Sequence, residues 1–206
     1  MSKIVVIDYE MGNTDSVVRA LEKCGANVFL SNKKNDLETA SHIILPGVGA
    51  FNKGMKNILR LGLKQNLEQQ VIKNKIPFLG ICLGMQLLAT KGYEHGENSG
   101  LGWIEGSVKL FSPTSKNERI PHIGWNEVNY NKDITLFSGI DISSDFYFVH
   151  SYHFLCKNPS NIIAKTPYCG KFVSAVKKNN IYGVQFHPEK SQVFGHMLLK
   201  NFLSIA

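Results

Sequence analysis

An α/β fold is the architecture this sequence predicts: one domain spanning residues 1–206, a mostly parallel central sheet with helices on both faces, and a smaller antiparallel extension. Three observations predict it. Short apolar runs alternate with helix-period patterns through the first half of the chain. The second half reads as strands separated by turn-rich stretches. No apolar run approaches the roughly 18 residues a membrane-spanning helix needs.

Lys3–Asp8 reads as a buried strand, and Val17, Leu21 and Cys24 then recur at helical spacing, with Gly25 placed to stop the helix. Val28–Leu30 and His42–Leu45 are further strands. Met55, Ile58, Leu59, Leu67, Val71 and Ile72 mark one or two helices broken at Gly62. Pro77 opens the apolar run Phe78–Ile81, and Met85–Ala89 follows as a helix. Beyond residue 100, strands are expected at Leu101–Leu110, Ile120–Val128, Asp145–Val149, Ile162–Lys165, Phe172–Lys177 and Ile181–Phe186. Ser112–Asn117 and Asn158–Asn161 are turn-rich separators, and a helix over His196–Ile205 ends the series.

With 43% hydrophobic and 19% charged residues the composition is globular. The formal charge of +7 is scattered. Its densest clusters, Lys33-Lys34 and Lys177-Lys178, are not the basic tract interleaved with aromatics that nucleic-acid binding requires. The N-terminus lacks the basic region, long apolar core and cleavage site of a signal peptide, so a cytoplasmic protein that binds neither nucleic acid nor membrane is expected. Cysteines stand at 24, 82, 156 and 169 without a CxxC pair. Neither a disulfide framework nor a metal site is expected, and no cofactor.

Gly80-Ile81-Cys82-Leu83-Gly84 joins a strand to a helix in the pattern of a nucleophile elbow, with Cys in place of Ser. A helix N-terminus would place partial positive charge beside the sulfur, favouring thiolate. The Leu83 N–H would face the oxygen of an attacked carbonyl. Taken alone, the pentapeptide is equally a packed strand-end cysteine between two turn-making glycines.

A nucleophile needs a base. His187 closes a strand inside His187-Pro188-Glu189, where residues i and i+2 share a face, roughly 6.5 Å apart at Cα. Pro188 holds His187 extended, so Glu189 can accept the Nδ1 proton and leave Nε2 for the thiol. His150 and His153 are rival bases, but neither has a carboxylate at i+2. His42, His95 and His196 have structural or solvated readings. Leu45-Pro46-Gly47-Val48-Gly49-Ala50 follows a strand, and its glycines allow an N–H near Val48 to turn toward a ligand as a second oxyanion donor.

LPGVGAF at 45–51, GICLGMQLL at 80–88 and GVQFHPEKS at 183–191 resemble the class I, triad-type glutamine amidotransferases, whose fold is flavodoxin-like. Asp8-Tyr9 with Gly12-Asn13, Pro121–Glu127 and Tyr147–Tyr152 are most similar to the glutaminase subunits of imidazole glycerol phosphate synthases. The resemblance implies that Cys82 attacks the amide of L-glutamine, that His187 shuttles the proton and that Glu189 orients His187. A γ-glutamyl thioester and ammonia result. It implies oxyanion N–H groups at Val48 and Leu83, and substrate contacts at Gly47, Gly49, Gln86, Glu94, Ser151 and Tyr152. A (β/α)8-barrel synthase subunit would form a heterodimer with the chain and consume the ammonia. Tyr9, Asn13, Trp125, Asn126, Tyr147 and Lys190 match family positions at that interface.

One stretch departs from the family pattern: Ala89-Thr90-Lys91-Gly92-Tyr93-Glu94-His95 stands where these subunits carry Phe-Glu and further acidic residues. An alternative acceptor therefore stays open, a paralogous partner in surface-polysaccharide amidino-sugar synthesis. Two readings from other classes also stay open, a cysteine hydrolase on a related fold and a non-catalytic binding module. The downstream HPE argues against the first; ordinary reactivity at Cys82 would favour the second.

Overall fold

The structure, a computed structural model, describes residues 2–116, 118–131 and 133–205. Asn117, the last residue of the expected Ser112–Asn117 turn, lies outside them. The chain opens with β1 (Lys3–Ile7), α1 (Thr14–Lys23), β2 (Asn27–Ser31), α2 (Lys34–Glu38), β3 (His42–Leu45), α3 (Phe51–Arg60) and α4 (Leu63–Leu67). It continues through β4 (Phe78–Ile81), α5 (Leu83–Gln86), β5 (Lys91–Gly92), β6 (Asn98–Ser99), β7 (Gly106–Leu110), β8 (His122–Tyr130) and β9 (Ser144–His150). The remaining elements are β10 (Tyr152–Cys156), β11 (Ile162–Thr166), β12 (Phe172–Lys178), β13 (Ile181–Val184) and α6 (Gln192–Leu203).

Five strands form the parallel core in the order β2-β1-β3-β4-β13. Antiparallel β12 continues the sheet from β13 and leads to β10 and β7, with β11, β8 and β9 branching from β12. His42–Leu45 and Phe78–Ile81 are buried at every position because helices cover both faces of the core. Alternate residues serve opposite sides. Val5, Ile7, Ile43 and Leu45 pack toward α3, α4 and α5, while Ile4, Val6 and Ile44 pack toward α1 and α6. Gly25 at φ 85° ends α1, and Gly62 at φ 64° separates α3 from α4, as their positions suggest.

Several expected elements differ. The last helix begins a turn early and runs Gln192–Leu203, not His196–Ile205. The helix after the elbow is Leu83–Gln86, not Met85–Ala89, because it begins directly at the bend. Of Leu101–Leu110 only Gly106–Leu110 is a strand. Leu101 and Ile104 are apolar for the core, and their N–H groups donate to Leu87 O and Leu88 O instead of to a sheet neighbour. The last strand stops at Val184, although Gln185 N–H still reaches Ser174 O at 2.9 Å. β10 was not foreseen: it restarts the sheet just after β9, where Ser151 separates the two runs.

The core topology brings three strand ends together. β4 and β13 run parallel with Ile81 opposite Val184, and β3 runs beside β4 with Leu45 opposite Gly80. Residues 46–49, Cys82 and 185–189 therefore leave the sheet at one carboxyl edge, where open α/β sheets hold ligands.

Candidate active site

Cys82 occupies φ 53°, ψ −106°, a conformation that side chains adopt only when their surroundings impose it. The glycines on either side follow from close approach. A Cβ on Gly80 would lie 2.6 Å from the Gly84 carbonyl, and one on Gly84 would lie 1.7 Å from Leu45 O. α5 spans four residues, so the dipole it aims at the sulfur is small. The stronger electrostatic neighbour is an imidazole.

His187 and Glu189 are buried, and Nδ1 of His187 lies 2.7 Å from Glu189 Oε1. That bond assigns the Nδ1 proton and leaves Nε2 without a hydrogen-bond partner among the described residues. Burial alone would depress the His187 pKa. The charge and hydrogen-bonding reach of Cys82, joined by Glu189, outweigh it and raise the imidazole to about 10. The other three thiols lack such a partner, and burial pushes Cys24, Cys156 and Cys169 up. His187 N–H donates to Tyr147 O at 2.9 Å and the Ser191 hydroxyl donates to His187 O at 2.7 Å, which fixes the backbone at this histidine. Asn13 Nδ2 donates to Glu189 Oε1 at 2.6 Å, a contact across the chain that the sequence did not suggest.

The two expected oxyanion donors are engaged in this conformation. Val48 N–H donates to Met11 O at 2.9 Å, and Leu83 N–H donates to Gly47 O at 3.3 Å. Neither N–H is free for a developing negative charge. The reason is local: the turn after β3 folds back on the Met11 segment, and its Gly47 carbonyl faces the elbow.

A cavity of about 320 Å³ opens beside the sulfur, lined among others by Val48, Gly49, Ala50, Cys82, Gln86 and Glu94. Ser151 and Tyr152 line it as well. Gly47 does not line it; it is buried against Tyr9, whose hydroxyl would stand 2.0 Å from a Cβ there. Glu94 Oε2 accepts from Phe51 N–H at 2.8 Å, so the start of α3 orients that carboxylate. The departing stretch at 89–95 thus keeps its one acidic wall residue at the cavity.

The family described as glutamine amidotransferase class-I matches residues 5–206. The chain is a class-I glutamine amidotransferase. It is 48% identical over 202 residues to "Imidazole glycerol phosphate synthase subunit HisH 1" of Campylobacter jejuni (strain RM1221), covering 98% of this chain and 100% of that protein. It is 45% identical to "Imidazole glycerol phosphate synthase subunit HisH 2" of Methanococcus maripaludis, over 98% of this chain and 100% of the relative. A solved structure titled "Crystal structure of glutamine amidotransferase" shares the fold with TM-score 0.75 at 20% identity, covering 97% of this chain and 96% of that one.

Around the Cys82–His187–Glu189 cluster of this amidotransferase the expected interface residues divide. Trp125 is 46% exposed, with Tyr147 packed edge-on against it, and Lys190 lies over the Tyr147 ring at 5.6 Å. Tyr9 does not reach the surface. It is fully buried, because its ring fills the core between β1 and the Gly47 turn, so it cannot touch a partner directly. Asn13 and Asn126 are half-buried and bonded inward.

Of the two rival bases, His150 is engaged at both ring nitrogens. His150 Nδ1 lies 2.8 Å from Tyr152 O, which makes Nε2 an acceptor, and His122 Nδ1 lies 3.2 Å from it. His122 Nε2 in turn accepts from Asn126 Nδ2 at 3.2 Å. Both rings are neutral Nδ1–H tautomers. Burial lowers His122 to about 4 and His150 to about 3. Burial also lowers His153, whose Nδ1 has no partner.

A stability consequence follows from these depressed values. Near pH 7 folded and unfolded chains both hold the rings largely neutral. As pH falls below about 6.5 the unfolded chain takes up protons that the folded chain refuses, so folding weakens until the folded pKa is reached. For His150 this costs about 2 kcal/mol between pH 7 and pH 5. Urea unfolding of the parent and His150→Gln at those two pH values checks it: the parent should lose more stability on acidification. Equal losses would remove the assignment.

Proposed function

We propose that this chain hydrolyses L-glutamine through Cys82, His187 and Glu189 and passes the ammonia to a (β/α)8-barrel synthase subunit that makes imidazole glycerol phosphate. The observation that carries the chemistry is a strained elbow cysteine at the end of β4, beside the strand that leads to a buried imidazole held at 2.7 Å by a buried carboxylate. Sγ attacks the side-chain amide carbon, and His187 Nε2 delivers its proton to the departing ammonia. Water, deprotonated by the same nitrogen, then cleaves the γ-glutamyl thioester and releases glutamate. Gln86, Glu94, Ser151 and Tyr152 hold the substrate in the cavity, and a carboxylate at Glu94 suits the α-ammonium group.

The engaged oxyanion donors give this reading a resting state. Gly47 C=O and Val48 N–H belong to one peptide unit, and that unit occupies Leu83 N–H on one side and Met11 O on the other. A half-turn of this single peptide releases Leu83 N–H and turns Val48 N–H toward it, creating both donors in one movement. Partner binding supplies the bias. Trp125, Tyr147 and Lys190 form the docking surface, and Asn13 and Asn126 contact the partner from beside it. An enclosed path keeps the ammonia unprotonated.

The purified chain alone should therefore turn over glutamine slowly, and an acceptor-loaded barrel synthase should raise the rate by about tenfold or more. The assay is ammonia transfer, with imidazole glycerol phosphate as the readout. Full activity of the lone chain would remove the peptide switch. Stimulation only by a sugar-modifying synthase would transfer the same glutaminase to amidino-sugar synthesis. Cytoplasmic residence is part of the proposal.

A further inference from the structure

The Gln185 side chain is fully buried and belongs to no role assigned above, yet it touches both halves of the site. Its Nε2 donates to Cys82 Sγ at 3.6 Å, and its Oε1 accepts from Gln86 Nε2 at 3.0 Å. Gln86 Nε2 spends its second proton on Tyr152 O at 3.0 Å. That carbonyl also accepts from His150 Nδ1 at 2.8 Å. Tyr152 O can only accept, so Gln86 must present its nitrogen there and Gln185 its oxygen to Gln86, which leaves each amide one allowed orientation. The backbone of Gln185 is pinned separately, through its N–H to Ser174 O.

We propose that Gln185 is a positioning residue of the glutaminase reaction: its amide N–H holds the nucleophilic sulfur, and its carbonyl fixes Gln86 so that the Gln86 oxygen faces the substrate cavity. An N–H aimed at sulfur interacts more strongly with thiolate than with thiol, because the bond is then charge-assisted. Fixing the Gln86 nitrogen against Gln185 and Tyr152 leaves its oxygen as the group available to a ligand donor. One side chain thus couples the reactivity of the nucleophile to the orientation of the substrate-binding amide. The inference rests on the glutaminase reading above and deepens it.

The test is alkylation of Cys82 by iodoacetamide as a function of pH, read by peptide mass spectrometry on the intact chain. It needs neither partner nor turnover, so its failure is distinct from failure of the proposed function. The other titratable groups around the sulfur, His187, Glu189, Tyr9, Glu94 and His150, are identical in every variant compared. Gln185→Met keeps the volume without the donor, and Gln185→Glu keeps the shape and the acceptor. Each should displace the alkylation midpoint upward by about one pH unit or more. In the complex with the synthase, Gln185→Met should also lower kcat by about tenfold and raise KM, because Gln86 is released as well. A folded variant whose midpoint coincides with that of the parent overturns the proposal. On the unmodified protein, the Gln185 side-chain amide resonance should move with the alkylation midpoint. A resonance that stays flat across the titration overturns it even if both variants fail to fold.

Discussion

Cys82→Ala is expected to lower glutaminase turnover by about 10⁴-fold or more while the chain keeps its melting temperature and partner binding. Alanine retains the Cβ, so the strain at φ 53° is unchanged and the 2.8 Å bond from residue 82 N–H to Val184 O persists. Only the sulfur leaves. His187→Gln should cost nearly as much, because a thiol without its base is a poor nucleophile. The double variant should be scarcely slower than either single one, since members of a triad act as a unit. Steady-state glutamate release from the complex, with circular dichroism as the control, measures all three. Turnover within tenfold of the parent in Cys82→Ala would refute the nucleophile, and independent losses in the double variant would refute the pairing.

Gly84→Ala should be the most damaging single methyl group in the chain. Its Cβ would stand 1.7 Å from Leu45 O, which is backbone at the end of a fully buried strand and has nowhere to move. Relief requires separating β3 from the elbow, which costs more than about 3 kcal/mol and displaces Cys82 from His187. The variant should melt well below the parent and lose glutaminase even at temperatures where it remains folded. Gly62→Ala makes the control: among the described residues nothing beyond its chain neighbours lies within 4 Å of a Cβ there, so the penalty is confined to the positive φ. If Gly84→Ala proves no worse than Gly62→Ala, close packing does not hold the elbow.

Most of the parallel core was legible because β1, β3, β4 and β13 are buried apolar runs, whereas β2 at the sheet edge is largely exposed. His42–Leu45 stops at Pro46, and Phe78–Ile81 starts after Pro77. The elbow and the HPE tripeptide were legible because their chemistry depends on local spacing. Leu101–Ile104 was misread as strand because apolar content signals burial, whereas a strand also needs a neighbour to receive its N–H groups. Tyr9 looked like an anchor, but a ring that fills the core and a ring that meets a partner have the same composition. Asn13 bonded to Glu189 and Gln185 bonded to Cys82 are contacts 176 and 103 residues apart in sequence. No periodicity encodes such pairs; they exist only once the sheet has assembled.

The order of strands in the sheet differs from the order in which a ribosome releases them. β13 sits between β4 and β12, so until residues 181–184 emerge the Phe78–Ile81 ribbon has one open side that nothing earlier in the chain covers. A nascent or prematurely terminated polypeptide therefore carries its thiol without its imidazole and displays a sticky apolar margin suited to self-association. Under the proposed roles of Cys82 and His187, synthesis finishes the sheet and arms the catalyst in the same event, which denies incomplete copies any chance to squander cellular nitrogen.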